Sequence, residues 1–579
     1  RYDGKEESEG KEESEQLPEP LVLGDERRAG LFRKEIELEE FWRLSNYGEG
    51  GMASAVDTGR SPHPAIPEER NAGRKDLSGT GLDDGMRHGT HVSGIMAAGL
   101  KFMLDGASGA SEKIWPFMGA GPLLKALMIK IFPSHERRKE RVRKFGKRKL
   151  IVPFFESNST EDDFIAALFE VDKSAKENGI DRGVASNHSY GAPFGSKREA
   201  VALGKLVKPK KEGGLGSLPV ASKGNSGPAK NSIGYPAGYS NVIAVGAVYV
   251  DKKDRIRFSH FGSIGHAKDP ITSLLNLGPG ILAPGGDAWD DPAKKIFKDG
   301  VTSMNSAQGD PDATIQANEV LVEGRPLALN LSGTSMSGPY VAAIVEILAL
   351  GWSKIVKQAG SDEEFTVDRA AYVLEKTARD LGYMHDLESA GLVQSAQAWR
   401  LMEQLAKETV DGKGQVLDGF KDYAQAVHAG MTPGTEGAPQ QKLLELLKSS
   451  DWLARLYATL GFINHPVRAG PELETLLQTL AKESEPRVRR AIYEALAYQT
   501  NSAVRDQILD SLKLSDSGVE PEDLFKAYVL TRKQQVRQIR DDQSSSVIPA
   551  KAGIQVRPQE EAELDARVRE HDGKNGENS

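Results

Sequence analysis

The stretch that decides the fold is LSGTSMSGPYVAAIVEILAL, Leu331–Leu350. Gly333 permits a special backbone turn, and Ser335 follows it at the threshold of a long apolar helix. The serine hydroxyl and amide therefore sit at the positive end of a helix dipole, a suitable place for a nucleophile whose product is an oxyanion. A plain Ser/Thr helix cap would not require the whole string GTSMSGP. Ser303, in VTSMNS, shares Thr-Ser-Met but lacks both the preceding glycine and the following apolar helix, so it is set aside as a decoy.

Three other segments belong with this one. AVDTG (Ala55–Gly59) ends an apolar strand on Asp57, which puts a carboxylate at the C-terminal edge of a sheet, where open α/β sheets bind ligands. RHGTHVSGIMAAG (Arg87–Gly99) places His88 at the start of a helix whose Gly89, Ser93, Gly94, Ala97 and Ala98 allow close packing on neighbouring backbone. PVASKGNSGP (Pro219–Pro228) runs an apolar strand into Gly224-Asn225, where an amide can donate into a cleft or simply make an Asn turn.

Around these segments, residues to about 400 alternate strand-like and helix-like runs. Strands are expected at 113–117, 183–191, 218–222 and 241–248. Helices are expected at 34–44, after His88, at 162–179, at 197–206 and after Ser335. Buried strands alternating with helices predict a parallel sheet covered on both faces. The fold class is thus α/β, a parallel sheet flanked by helices, followed by an α-helical C-terminal region of HEAT-like pairs or a small bundle. Four divisions are expected: a disordered acidic segment at 1–30, a catalytic domain at 31–405, a helical domain at 406–530 and a disordered tail at 531–579.

HERRKERVRKFGKRK (135–149) interrupts the alternation with nine Lys/Arg against two Glu. It reads as a solvated insertion or surface helix, or else as a contact for an acidic partner.

Composition narrows the chemistry further. The chain has 579 residues, 39% of them hydrophobic, and a formal charge of −8. At roughly 150 residues per domain there is room for up to about four domains. The absence of cysteine rules out disulfides, a thiol nucleophile and thiolate metal sites. Mild acidity gives no reason to expect nucleic acid as a partner. The longest apolar run, Val341–Trp352, contains Glu346 and is too short to span a bilayer, so no membrane is expected. Beginning with Arg1, the chain reads as a fragment or processed form, without the signal peptide or propeptide that would precede it. SVIPAKAGIQ (546–555) resembles translated bacterial intergenic repeat DNA and points to a bacterial source.

Taken together, AVDTG, HGTHVSG, GNSGP and GTSMSGP, in that order, resemble the subtilisin-like serine proteases, the subtilase family (peptidase S8). YPAGYSNVIAVGAV (235–248), RFSHFGS (257–263), LAPGG (282–286) and SYG (189–191) resemble the family's spacer segments. The resemblance covers about residues 40–400. It implies a serine endopeptidase (EC 3.4.21.-) with Ser335 as nucleophile, His88 as general base and acid, Asp57 as orienting carboxylate and Asn225 in the oxyanion hole. His91 is then structural. The primary pocket would have Ser189, Tyr190 and Gly191 as one wall and Ser222, Lys223 and Gly224 as the other. Lys223 departs from the family's small apolar residues, and either favours acidic groups or points to solvent.

The expected substrates are polypeptides, and the chemistry requires no cofactor and no metal ligand. Structural calcium is known in the family, but GDAWDD (286–291) and GDPDA (309–313) match no defined loop and are expected to be solvated. The family resemblance alone favours an extracellular or cell-envelope location. The competing reading is an inactive protease-like scaffold that binds a protein partner through its helical region.

Overall fold

The computed structural model describes residues 33–99, 118–133, 138–145, 148–155, 161–227, 231–251, 253–259, 261–287, 300–306, 318–322, 325–433, 438–467, 478–479 and 482–497. The expected strand at 113–117, both acidic loops (but for Gly286 and Asp287), the N-terminal segment, the C-terminal tail and most of the second helical pair lie outside them.

Chain order begins with α1 (Leu38–Leu44), β1 (Met52–Asp57), β2 (Asn71–Asp76), α2 (His88–Ala97), β3 (Lys125–Lys130), β4 (Arg138–Phe145), β5 (Arg148–Phe155) and α3 (Glu161–Glu177). It continues with β6 (Ala185–His188), α4 (Lys197–Leu206), β7 (Leu218–Ser222), β8 (Ile243–Val250), β9 (Ile256–Phe258), β10 (Gly280–Pro284), β11 (Val301–Met304), β12 (Glu319–Val322) and β13 (Arg325–Leu331). The helices α5 (Thr334–Gln358), α6 (Val367–Thr377), α7 (His385–Glu388), α8 (Ser395–Asp411), α9 (Gln415–Met431), α10 (Ala438–Leu446), α11 (Trp452–Asn464) and α12 (Pro486–Ala497) follow.

The main sheet runs β10-β8-β7-β6-β1-β3-β2, parallel throughout, with β9 antiparallel on β8. Its two faces follow the period-two alternation of a strand. Ala53, Ala55, Ala126 and Met128 pack with α2 and α5, whereas Met52, Val56, Leu127 and Ile129 pack with Ala167 and Val171 of α3. All six residues of β1 are buried, so Asp57 emerges at the C-terminal edge, as its place at the end of an apolar run predicts.

Helix α5 is the central post. It is long and apolar enough to cross a membrane by composition, yet 72% of its most apolar window is buried within the protein, as befits a core helix. Its one buried charge, Glu346, bonds the Met52 and Ala185 amides at 2.9 and 3.1 Å while pairing with Arg182. A buried carboxylate is tolerable only with such partners. Glu346 thereby ties the helix to the starting ends of β1 and β6.

The small-residue face of α2 is used as expected. A Cβ on Gly89 would lie 2.2 Å from the Gly59 carbonyl, and one on Gly94 would lie 2.3 Å from Ser303 Oγ. The antiparallel sheet β11-β13-β12, which sequence patterning did not anticipate, lies over this helix. The basic segment is likewise not a helix: β4 and β5 pair as an antiparallel hairpin with Val142 opposite Ile151.

Beyond the sheet, α8 packs on α1 and α5 and spans residues 395–411, so the expected boundary at 405 falls within one continuous helix. Helices α9, α11 and α12 stack in succession. They join the sheet domain through Glu375 of α6, which accepts from Gly280 N at 2.7 Å, Tyr457 at 2.9 Å and Tyr423 at 3.2 Å. The helical region is therefore fused to the sheet domain through a buried polar contact.

Candidate active site

Three chain segments converge at the C-terminal edge of the sheet. Asp57 ends β1, His88 begins α2, and α5 starts with Thr334-Ser335 after the turn at Gly333. Helices α2 and α5 pack directly on each other. His88 Nδ1 lies 2.7 Å from Asp57 Oδ1, which also accepts from Thr58 N at 2.7 Å. With Nδ1–H donated to the carboxylate, the lone pair resides on Nε2. Asp57 is 1% exposed and His88 is 17% exposed, so the pair is sheltered while the imidazole keeps an opening. Burial alone would lower the His88 pKa. The Asp57 charge and hydrogen bond, backed by Asp84, outweigh that and hold it above its ordinary value of 6.5.

Two residues that the motif reading missed fix this geometry. Asp84 is fully buried, accepts from Thr90 N at 2.7 Å and Thr58 Oγ1 at 2.9 Å, and so clamps the first turn of α2. Thr58 Oγ1 in turn accepts from Gly89 N at 2.9 Å. The only signal in the sequence was a carboxylate just ahead of the helix start. His91 is a packing residue: Nε2 donates to the Val301 and Leu329 carbonyls at 3.0 Å, and burial pulls its pKa down to about 3. Ser303 is buried and donates to the His91 carbonyl at 2.7 Å, remote from any nucleophilic role.

Asn225 follows β7. Its Oδ1 accepts from Thr334 N at 3.0 Å and Thr334 Oγ1 at 2.9 Å, which fixes the amide beside the helix start. A Cβ on Gly333 would lie 3.3 Å from Asn225 Nδ2, so glycine keeps the space beside it clear. As the second residue of α5, Ser335 has an N–H with no carbonyl partner within the helix. The Ser335 hydroxyl donates to the Ser189 carbonyl at 3.0 Å. Among the described residues no hydrogen bond joins it to His88.

Two of the residues expected to wall the pocket brace the helix that bears Ser335. Ser189 Oγ donates to the Ser335 carbonyl and Ser222 Oγ to the Thr334 carbonyl, both at 2.8 Å, so these side chains hold the first turn of α5. Tyr190 OH bonds His188 Nδ1 at 2.9 Å, and its ring meets Phe132 edge-on at 5.0 Å. Gly191 and Gly224 contribute backbone, Gly224 at φ 109°.

Lys223 fits neither expectation. Its side chain is 3% exposed, passes Gly246 and Gly280 of the neighbouring strands at 3.6 and 3.5 Å from their would-be Cβ atoms, and donates to Ser389 Oγ. Two glycines on adjacent strands open an internal channel for the stem, and Glu375, Asp386 and Glu388 supply the counter-charge. Burial pulls its pKa down to about 8.

Comparisons with known proteins find similar sequences. Residues 149–393 match the Peptidase_S8 description, the subtilase family; Asn225 and Ser335 lie within that stretch and Asp57 and His88 before it. Subtilisin DY of Bacillus licheniformis is 31% identical over 198 residues, 34% of this chain and 55% of its own. The chain thus spans about half the length of that relative. Subtilisin BL and Subtilisin Savinase, both of Lederbergia lenta, are 25% and 26% identical over 354 residues, 61% of this chain and 92% of theirs. The solved structure of the prenylagaramide maturation protease PagA aligns at 19% identity and TM-score 0.38, covering 63% of this chain and 98% of its own. With four motifs in family order, a parallel sheet carrying them at one edge and the matched stretch 149–393, the chain is similar to the subtilase family.

Proposed function

We propose that the chain is a serine endopeptidase acting on polypeptides through Asp57, His88 and Ser335, with Asn225 in the oxyanion hole. The observation that carries this reading is the 2.7 Å Asp57–His88 bond at the sheet edge, beside the helix start that bears Ser335.

A serine hydroxyl is a weak nucleophile near neutral pH and needs an acceptor for its proton as it attacks. His88 Nε2 is that acceptor. Asp57 holds Nδ1–H, fixes the tautomer and stabilises the imidazolium that forms. The Ser335 hydroxyl exchanges its resting bond to the Ser189 carbonyl for one to Nε2 when substrate enters, a tightening common between free and substrate-bound sites. Attack on the scissile carbonyl creates an oxyanion, which Asn225 Nδ2–H and Ser335 N–H stabilise at the positive end of α5. The proton taken by His88 then goes to the leaving amine. Water attacks the acyl-enzyme by the same path in reverse, with His88 again as base.

Hydrolysis of a chromogenic peptide amide tests this reading. Turnover should fall by about 10⁶-fold in Ser335→Ala, because the members of such a triad act as a unit. Equal turnover by the purified wild type and Ser335→Ala chains would refute it.

A further inference from the structure

A second cluster of chemically capable side chains lies where the sheet domain meets the helical region. His266 comes from the loop between β9 and β10, His385 opens α7, and Glu494 projects from α12. All three are buried. One ligand atom from each lies within 4.8 Å of the others. His266 Nδ1 is 3.2 Å from the Asn276 carbonyl, which fixes that nitrogen as the N–H donor. Nε2 then faces Glu494 Oε1 at 2.7 Å, an ion pair when a proton sits between them and a pair of ligand atoms when a metal cation takes the proton's place. His385 stacks on His266 with ring centroids 6.2 Å apart and an interplanar angle of 21°. Both of its ring nitrogens are buried without a hydrogen-bond partner. Burying two unpaired polar nitrogens is unfavourable unless something else satisfies one of them. A cavity of about 20 Å³ adjoins the cluster, lined by His266, His385, Lys223, Gly280 and Ser389, with room for one water or ion.

We propose that His266, His385 and Glu494 form a zinc-binding site that fastens α12 to the sheet domain. Two imidazoles and a carboxylate are a donor set that zinc takes with a water in the fourth position. Imidazole favours zinc over calcium or magnesium, and the chain offers no thiolate to compete. Metal bonds of about 2.0–2.1 Å on a tetrahedral ion impose about 3.3 Å between ligand atoms, so zinc would part His266 Nε2 and Glu494 Oε1 from their 2.7 Å contact as it took the place of the proton between them. His266 already has the outer partner that orients a ligating imidazole, its Nδ1–H on a backbone carbonyl. Lys223 and Arg490 bring positive charge near His385, and Glu375, Asp386 and Glu388 lie around Lys223 to offset it. The three ligands come from three separate segments, so the ion would cross-link parts of the chain more than 100 residues apart. This site is independent of the proteolytic reading.

The test uses the metal-stripped full chain, titrated with Co²⁺ and then with Zn²⁺. The expected result is one saturable cobalt ion per chain, with the visible bands of four- or five-coordinate nitrogen–oxygen ligation, displaced by zinc. His385→Ala and the isosteric Glu494→Gln should each weaken cobalt binding by about tenfold or more. The exposed His428→Ala should leave it unchanged. Zinc should also raise the unfolding temperature of the wild type and not that of Glu494→Gln, which keeps the test decisive if His385→Ala fails to fold. Absence of saturable cobalt binding, or wild-type affinity in Glu494→Gln, would overturn the proposal.

Discussion

Replacing Asn225 with Asp isolates the oxyanion contribution from the fold. The Asn225 side chain does two separable things. Its Oδ1 accepts from Thr334 N and Thr334 Oγ1, at 3.0 and 2.9 Å, and its Nδ2 is the donor proposed for the oxyanion. Aspartate preserves the shape and both acceptor contacts, and an anion there also sits near the positive end of α5. The helix start and Ser335 should therefore stay in place, with thermal stability close to wild type. The donor, however, becomes an anion facing the negative charge that develops in the transition state. Loss of one such donor costs about 10²–10³ in turnover, equivalent to about 2.7–4 kcal/mol. Electrostatic repulsion adds to that, so kcat in Asn225→Asp should fall by at least about 10²-fold. KM should change little, because the ground-state carbonyl makes the weaker contact. Steady-state hydrolysis of a peptide amide, with circular dichroism as the folding control, reads both quantities. A folded variant that retains more than about a tenth of wild-type kcat would refute the assignment of Asn225.

Three other outcomes follow from the same geometry. His88 must be neutral to act as base, and Asp57 holds its pKa above 6.5, so the acid limb of the kcat/KM–pH profile should be centred above that value. Asp57→Asn should move the limb to lower pH while turnover drops by about 10⁴-fold. Glu346→Ala would strip partners from the Met52 and Ala185 amides and from Arg182, and denaturant unfolding should show a loss of about 3–5 kcal/mol. Burial pushes the Glu375 carboxyl from 4.5 up to about 7. Between those values the folded chain keeps a proton that the unfolded chain has released, so stability should decline as pH rises through that window. Unfolding temperatures measured across it should show a flatter decline in Glu375→Gln.

How much of this was legible in the sequence depends on which forces left a local trace. The strands β1, β7 and β8 are buried on both faces and read as short apolar runs, and each motif sits at the end of one strand or the start of one helix. The edge strand β2, NAGRKD, is only partly buried and carries no apolar pattern, which is why it was missed. β3, KALMIK, had an apolar run that could have been read, but β11 to β13 are short and take their order from packing over α2. The side chains of Ser189 and Ser222 could not be assigned to α5 from sequence, since their partners lie 146 and 112 residues away. The path of Lys223 was hidden for a similar reason. The glycines that admit it belong to two other strands, and its partner Ser389 lies 166 residues on.

The most direct measurement is labelling of the native chain with a fluorophosphonate, followed by mass spectrometry of the modified peptide. The account predicts a single adduct on Ser335, with labelling at least about 10³-fold slower in His88→Ala, where no base remains to take the hydroxyl proton. An adduct on another serine such as Ser303, or an equal rate without the imidazole, would contradict it.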